Sequence, residues 1–198
     1  MYFTIKRFID LIVALVAVIL LSPLFVIIFI AIKLDSPGPV FFKQKRVGKN
    51  KKHFNILKFR TMQKEAPKDV PTHLFTDSPQ YLTRVGKILR KTSLDELPQL
   101  INILAGQMSI IGPRPALWNQ QDLIDERDKY GANDITPGLT GWAQVNGRDE
   151  LPIDLKAKLD GEYVNNISFL FDIKCFFKTF SVVLTAKGVK EGSKDDSK

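Results

Sequence analysis

The chain has 198 residues, with 29 Lys plus Arg against 21 Asp plus Glu, a formal net charge of +8 and one cysteine. That length allows one domain with an appendage, and the charge calls for an anionic partner: a phospholipid face, a phosphorylated substrate or nucleic acid. Cys175 alone excludes an internal disulfide and a cysteine metal cluster; it fits a reducing interior and reads as a small core hydrophobe.

Ile9 to Ile32 is apolar except for Asp10 and Ser22, and at about two dozen residues it is long enough for a membrane helix. No small-residue cleavage site precedes the polar KLDSPGP that follows, which argues against a cleaved signal peptide. Lys6 and Arg7 stand before the segment, and Lys33, Lys43, Lys45, Arg46, Lys49, Lys51 and Lys52 after it. The positive-inside rule assigns both flanks to the cytoplasm, which one spanning helix cannot satisfy. Pro23 interrupts the run, removing a hydrogen bond to Ile19 at roughly 3 kcal/mol. Apolar residues worth about 0.3 to 0.6 kcal/mol each outweigh that cost, so the proline decides shape rather than insertion. Each half is roughly 18 Å long at about 1.5 Å per residue, the depth of one leaflet, and the Ser22 hydroxyl is the nearest donor for the freed carbonyl. A helix that dips in, bends at Ser22-Pro23 and returns fits these numbers; so, locally, does a mildly kinked span.

Asp35 to Met62 opens with a Pro-Gly-Pro turn and predicts a β-hairpin with Gly48 and Asn50 at its tip. Gln63 to Pro79, with three prolines, reads as a mobile loop. The next stretch, from Tyr81 to Leu104, is helical in pattern, with Leu82, Val85, Ile88 and Leu89 on one face. GPRPALW is a proline-stiffened turn, and DITPGLTGWAQVNGRDE reads as short strands and loops. Near the end, Phe169, Leu170, Ile173, Phe176, Phe177, Phe180 and Leu184 form one apolar helix face, expected to pack on the core with shallow membrane contact as the alternative. The last residues, 187–198, are polar and read as a disordered tail. The whole is expected to be α+β: a membrane helix over 1–34, a cytoplasmic domain over 35–186, and the tail.

Three pieces carry chemistry. In TSLDELPQL, Ser93 and Glu96 spell a helix capping box, although Pro98 argues for a later helix start. Asp95 at a helix N-terminus would stay ionised, as a carboxylate nucleophile or metal ligand requires; in a regular helix Asp95 and Glu96 would diverge rather than share one task. In LKFRTM, Lys58 and Arg60 share a strand face, a paired cation suited to phosphate oxygens or a plain solvated face. In IIGPRP, prolines stiffen the turn around Arg114, whose guanidinium suits bidentate phosphate binding.

SPGPVFFKQKRVG, FNILKFRTM, SLDELPQLINILAGQMSIIGPRP and TPGLTGWAQVNGR, preceded by KRFIDLIVALVAVILLSPL, together resemble the bacterial sugar transferase family over roughly residues 1–185. These are the monotopic phosphoglycosyl transferases, and the chain looks like their short catalytic-core form. The resemblance implies transfer of a phosphosugar from a UDP-sugar to undecaprenyl phosphate with release of UMP. It implies Asp95 as covalent nucleophile and Glu96 as its partner at Mg²⁺ or at the lipid phosphate. Lys58, Arg60, Arg90 and Arg114 match the family's basic positions around the phosphates, and Gln144, Asn146 and Arg148 match a segment expected in sugar or uridine recognition. It also favours the re-entrant helix, with the catalytic domain and both termini on the cytoplasmic face of the bacterial inner membrane, in contact with membrane lipids. A noncatalytic membrane-tethered protein binding acidic lipid or nucleic acid would instead interleave basic and aromatic residues on an open surface. Here the basic residues cluster in motif with one carboxylate pair, so nucleic acid is not an expected partner. The C-terminal amphipathic helix leaves a homodimer open. Neither the sugar nor the pathway, capsule, exopolysaccharide or glycoprotein, is legible.

Overall fold

The computed structural model describes residues 2–67, 78–147 and 150–185. Most of the expected loop over 63–79, the expected tail over 187–198, and Arg148 lie outside the described residues.

The long apolar run folds as two helices, α1 (Tyr2–Leu20) and α2 (Ser22–Asp35), bent by 60° at their junction. Pro23 falls in the first turn of α2, where its missing N–H costs least. The Ser22 hydroxyl donates to the Ile19 carbonyl at 2.8 Å, the bond expected for the freed acceptor. Among the described residues no single helix is long and apolar enough to cross a membrane; the bent pair together reaches that length and composition.

Each helix buries one face. Ala14 of α1 is fully buried among Ile56, Leu100, Ile103 and Met108, and Ile28 and Ile32 of α2 pack with Val40, Phe59 and Leu89. Their other faces carry exposed apolar side chains, including Phe8, Val16, Leu20, Ile27 and Ile30. Polar bonds fasten the start of α1. Asp10, 4% exposed, accepts from the Ser109 hydroxyl at 2.7 Å and the Ile110 N–H at 3.1 Å. Arg7 donates to the carbonyls of Ile103 at 2.7 Å and Leu104 at 3.2 Å, and Lys6 donates to Asp172 at 2.6 Å.

The expected hairpin is present: β1 (Phe41–Val47) pairs antiparallel with β2 (His53–Phe59), from Phe41 opposite Phe59 to Val47 opposite His53. A 3₁₀ turn over Lys49–Lys51 closes it, with Asn50 at φ +53°. Two short helices follow, α3 (Ser78–Tyr81) and α4 (Arg84–Lys91). Thr83 caps α4 by accepting the Gly86 N–H at 2.9 Å, and the Asp35 carboxylate takes the Val85 N–H at 3.0 Å. Gly86 is required by close approach, since a Cβ there would lie 2.0 Å from the Thr61 carbonyl oxygen. Ile88 departs from the expected apolar face: it is 63% exposed while Leu82 and Leu89 are buried, because α4 is only two turns long and packs on one edge.

Beyond α5 (Gln99–Leu104), a second sheet pairs β3 (Ser109–Ile111) in parallel with β4 (Gly138–Thr140), and α6 (Gln121–Asp128) lies between them in sequence. The segment read as strands and loops supplies strand β4 and, after Gly141, also a one-turn helix, α7 (Trp142–Val145). α8 (Ile153–Asn165) and α9 (Phe169–Thr185) complete an α+β fold.

α9 overturns the expectation of core packing. Phe169, Leu170, Phe177 and Phe180 are 51%, 77%, 66% and 53% exposed, and it is the opposite side, with Asp172 and Cys175, that is buried. The buried polar partner explains the reversal: Asp172 accepts from Tyr163 Oη at 2.7 Å, from Tyr2 Oη and from Lys6, so the helix is oriented by its carboxylate. Cys175 is fully buried beside Tyr163, and burial, then the Asp172 charge, pushes its thiol up to about 12. Native protein at pH 8 is therefore expected to leave a chromogenic disulfide reagent unreacted, whereas the unfolded chain releases one equivalent; rapid native reaction would place the thiol elsewhere.

Candidate active site

The site begins at a break between helices. After α4, Thr92 stays helical and Ser93 turns left-handed, φ +57°, sending the chain into a single 3₁₀ turn, Leu94–Glu96. The expected capping box does not form: a left-handed Ser93 aims no hydroxyl at the turn, and the Glu96 side chain points to cations instead. Pro98 takes the cap position of α5, so that helix starts later, as the proline implied. The tight turn also removes the divergence expected of neighbours in a regular helix. Lys58 Nζ lies 2.7 Å from Glu96 Oε1 and 3.6 Å from Asp95 Oδ2, so one ammonium serves both carboxylates.

β2 delivers Lys58, and α5 holds β2 in place. The Asn102 amide accepts the Leu57 N–H at 2.9 Å and donates to the Asn55 carbonyl at 2.9 Å, pairing the open edge of the strand. Asn102 was not singled out in the sequence; an Asn inside an apolar helix was the available signal. Arg114, on the turn after β3, grips Glu96 with both terminal nitrogens. Arg90 Nε donates to the Thr61 hydroxyl at 2.9 Å, and its charge reaches Asp95.

Arg60 does not join this cluster. The strand ends at Phe59, and the guanidinium turns back to the carbonyls of Pro37 and Ser36, each at 2.7 Å, and to the Ser36 hydroxyl at 2.9 Å. Buried at 6% exposure, it closes the C-terminal end of α2, and a Cβ on Gly38, φ +124°, would strike it. The paired strand cation of Lys58 and Arg60 is thus replaced by Lys58, Arg90 and Arg114. Asn146 is likewise engaged locally, donating to the Trp142 carbonyl at 2.7 Å. Gln144 is buried, with its Oε1 lacking a partner, and borders a cavity of about 210 Å³ next to Glu96 and Arg114.

The two carboxylates are driven apart electrostatically. Burial raises the Asp95 carboxyl above its ordinary value, against the pull of Lys58, Arg90 and Arg114. Burial acts on Glu96 too, but the charges and hydrogen bonds of Arg114 and Lys58 more than offset it and hold that carboxyl well below its usual range. Glu96 is a fixed anion, and Asp95 accepts no hydrogen bond from the described residues. The two neighbours thus sit in different environments: Glu96 is bonded by two cations, whereas Asp95 meets Lys58 only at 3.6 Å.

No cluster of three or more His, Cys, Asp or Glu side chains occurs among the described residues. Mg²⁺ does not require one: it keeps several waters and is held by one or two carboxylates plus substrate phosphates. Asp95 fits that donor set. Glu96, already bonded to Lys58 and Arg114, would have to share its oxygens with them to join it.

A further pair lies behind Arg114 and was also missed in the sequence. Arg127 of α6 donates to Asp160 Oδ2 of α8 through Nε at 2.8 Å and Nη2 at 2.6 Å, and its third arm, Nη1, donates to the Arg114 carbonyl at 2.9 Å. The Arg114 turn is therefore anchored from the core.

The bacterial sugar transferase family profile matches residues 1–186. The chain is 39% identical over 186 residues to "Uncharacterized sugar transferase EpsL" of Bacillus subtilis (strain 168), covering 94% of this chain and 90% of that protein. It is 39% identical to "UDP-N-acetylgalactosamine-undecaprenyl-phosphate N-acetylgalactosaminephosphotransferase" of Aeromonas hydrophila, covering 96% of this chain and 46% of that protein. It is 41% identical to "UDP-glucose:undecaprenyl-phosphate glucose-1-phosphate transferase" of Escherichia coli (strain K12), covering 88% and 39%. The chain thus spans less than half the length of the last two relatives.

Proposed function

The chain belongs to the bacterial sugar transferase family, and on that premise we propose that it moves a phosphosugar from a UDP-sugar to undecaprenyl phosphate, leaving UMP and a lipid-diphosphate sugar. The observation that carries the reading is the asymmetric dyad: an Asp95 carboxylate with no hydrogen bond from the described residues, beside a Glu96 neutralised by Lys58 and Arg114.

In the first step an Asp95 oxygen attacks the sugar-bearing phosphorus; the bond from that phosphorus to the bridging oxygen breaks, and its electron pair leaves with UMP. In the second, a phosphate oxygen of the lipid attacks the same phosphorus, and the aspartyl–phosphorus bond breaks to restore the carboxylate. An anion attacking a diphosphate needs positive charge already in place, and Lys58, Arg90 and Arg114 are fixed around the dyad by their own partners. Mg²⁺, held by Asp95 and the substrate phosphates, supplies further charge neutralisation when bound.

The test is a panel of UDP-sugars incubated with purified protein and Mg²⁺, with and without undecaprenyl phosphate. UMP release that becomes catalytic only with lipid is expected for at least one sugar; none for any sugar would reject the reading. The same panel names the sugar.

Residues 1–34 are proposed as the membrane portion and 35–186 as the catalytic domain, with both termini on the cytoplasmic face of the bacterial inner membrane. Support comes from the attachment of both ends of the bent pair to the same body: Lys6, Arg7 and Asp10 bond α1 to α9, α5 and β3, while Arg60 ties the end of α2 to the hairpin. An impermeant label should reach tags at Met1 and Lys198 only after the cells are opened. Labelling of the Met1 tag alone in intact spheroplasts would restore a spanning helix.

A further inference from the structure

Beside the dyad lies a cavity of about 210 Å³, lined in part by Leu97, Leu100, Leu139 and Val145 and by Phe176 and Phe180 of α9. Glu96 and Arg114 also border it, so the space adjoins the reacting groups. We propose that this cavity seats the phosphate-proximal isoprene units of the lipid acceptor. The proposal rests on the transferase reading above and names where its second substrate binds.

Three observations favour a hydrocarbon occupant. The first is the wall chemistry: Thr140 and Thr179 are the hydroxyls on the α9 side, and both protons are spent, Thr140 on Thr179 at 2.9 Å and Thr179 on the Cys175 carbonyl at 2.8 Å. Apart from these threonines and from Ser93, Glu96, Arg114 and Gln144, the lining is Leu, Ile, Val and Phe, which a sugar with several hydroxyls would meet at a desolvation cost and an isoprenoid would not. The second is size, since a dry cavity of roughly 150 Å³ accepts a benzene-sized hydrocarbon and this one exceeds that by enough for a short branched chain. The third is continuity and charge. Phe176 and Phe180, packed edge to face at 5.0 Å, belong to the helix whose outer side exposes Phe169, Leu170 and Phe177. An apolar path thus runs from an apolar surface to Arg114, which complements an anionic phosphate at the end of a hydrocarbon tail.

Val145→Phe fills the cavity and Phe180→Ala enlarges it. With Val145→Phe the KM for undecaprenyl phosphate is expected to rise about tenfold or more, while the lipid-independent UMP burst and the sugar-nucleotide KM stay within about twofold. A shift in the sugar-nucleotide KM with the lipid KM unmoved would overturn the proposal and assign the cavity to the donor. Phe180, half-exposed, tolerates truncation, so Phe180→Ala repeats the comparison should Val145→Phe fold poorly. In parallel, farnesyl phosphate carrying a diazirine on its first isoprene unit is expected to label the peptides containing Leu139 or Phe176 to Phe180, with excess undecaprenyl phosphate suppressing the label. Labelling confined to other peptides overturns the assignment. Because the crosslink needs no sugar donor, it decides the cavity even if no UDP-sugar yields UMP, the result that would reject the transferase reading instead.

Discussion

Asp95→Asn is expected to slow UMP formation by about a thousandfold or more, equivalent to about 4 kcal/mol of lost transition-state stabilisation, and to abolish a phosphosugar adduct on the protein. The amide keeps the shape of the side chain and loses the anion, so the change isolates nucleophilicity. Stability should hold or rise, because burial already raises the Asp95 carboxyl and the charge is one the fold carries at a cost. Glu96→Gln makes the contrast. It leaves the nucleophile but weakens the bonds that fix Lys58 and Arg114, so the adduct should still form, roughly ten- to a hundredfold more slowly. Intact-mass measurement after brief mixing with the UDP-sugar distinguishes the two variants. Turnover by Asp95→Asn within tenfold of the unaltered protein would sink the covalent route.

What could be read from the sequence was local, and what could not depended on partners far along the chain. The Ser22 bond to Ile19 needed only helix geometry and a proline, and it is there. The hairpin needed only alternating strand residues around Gly48 and Asn50. The capping box failed because Ser93 adopts a left-handed conformation, which a local motif does not report. Arg60 was assigned by strand alternation, but the strand ends one residue earlier and the end of α2, more than twenty residues back, claims its guanidinium. On α9 the count of apolar side chains pointed the helix the wrong way: Asp172, bonded to Tyr2, Lys6 and Tyr163, outweighs them in setting its rotation. Asp10 was visible as an acid in an apolar run, but its partners, Ser109 and the Ile110 N–H, lie about a hundred residues away. Of the cations expected at the phosphates, Lys58, Arg90 and Arg114 gather at the dyad through three different elements, which no single motif displays.

The buried pair behind the site should separate stability from catalysis. Arg127 and Asp160 have side chains 4% and 1% exposed, and Asp160 Oδ1 has no partner among the described residues, so the pair is not fully satisfied. Removing either member strands a buried charge, and Arg127→Met or Asp160→Leu alone should cost about 3–5 kcal/mol, a loss of roughly 6–20 °C in Tm for a chain of this size. The double variant strands neither charge, and replacing a buried pair with apolar side chains is often neutral, so it should recover most of that Tm. Activity should not return with it. Arg127 Nη1 is the donor to the Arg114 carbonyl, and Arg114 in turn holds Glu96, so without Arg127 the turn loses its anchor in the core. The folded double variant is expected to show kcat reduced about ten- to a hundredfold with the sugar-nucleotide KM little changed, the pattern for a group acting through the position of another. Arg127→Lys offers a check, since it keeps the charge opposite Asp160 but cannot span both the carboxylate and the Arg114 carbonyl in one planar fork. It should restore Tm more fully than kcat. Should Tm and kcat recover together in the double variant, the pair would be a structural element with no hold on the catalytic turn.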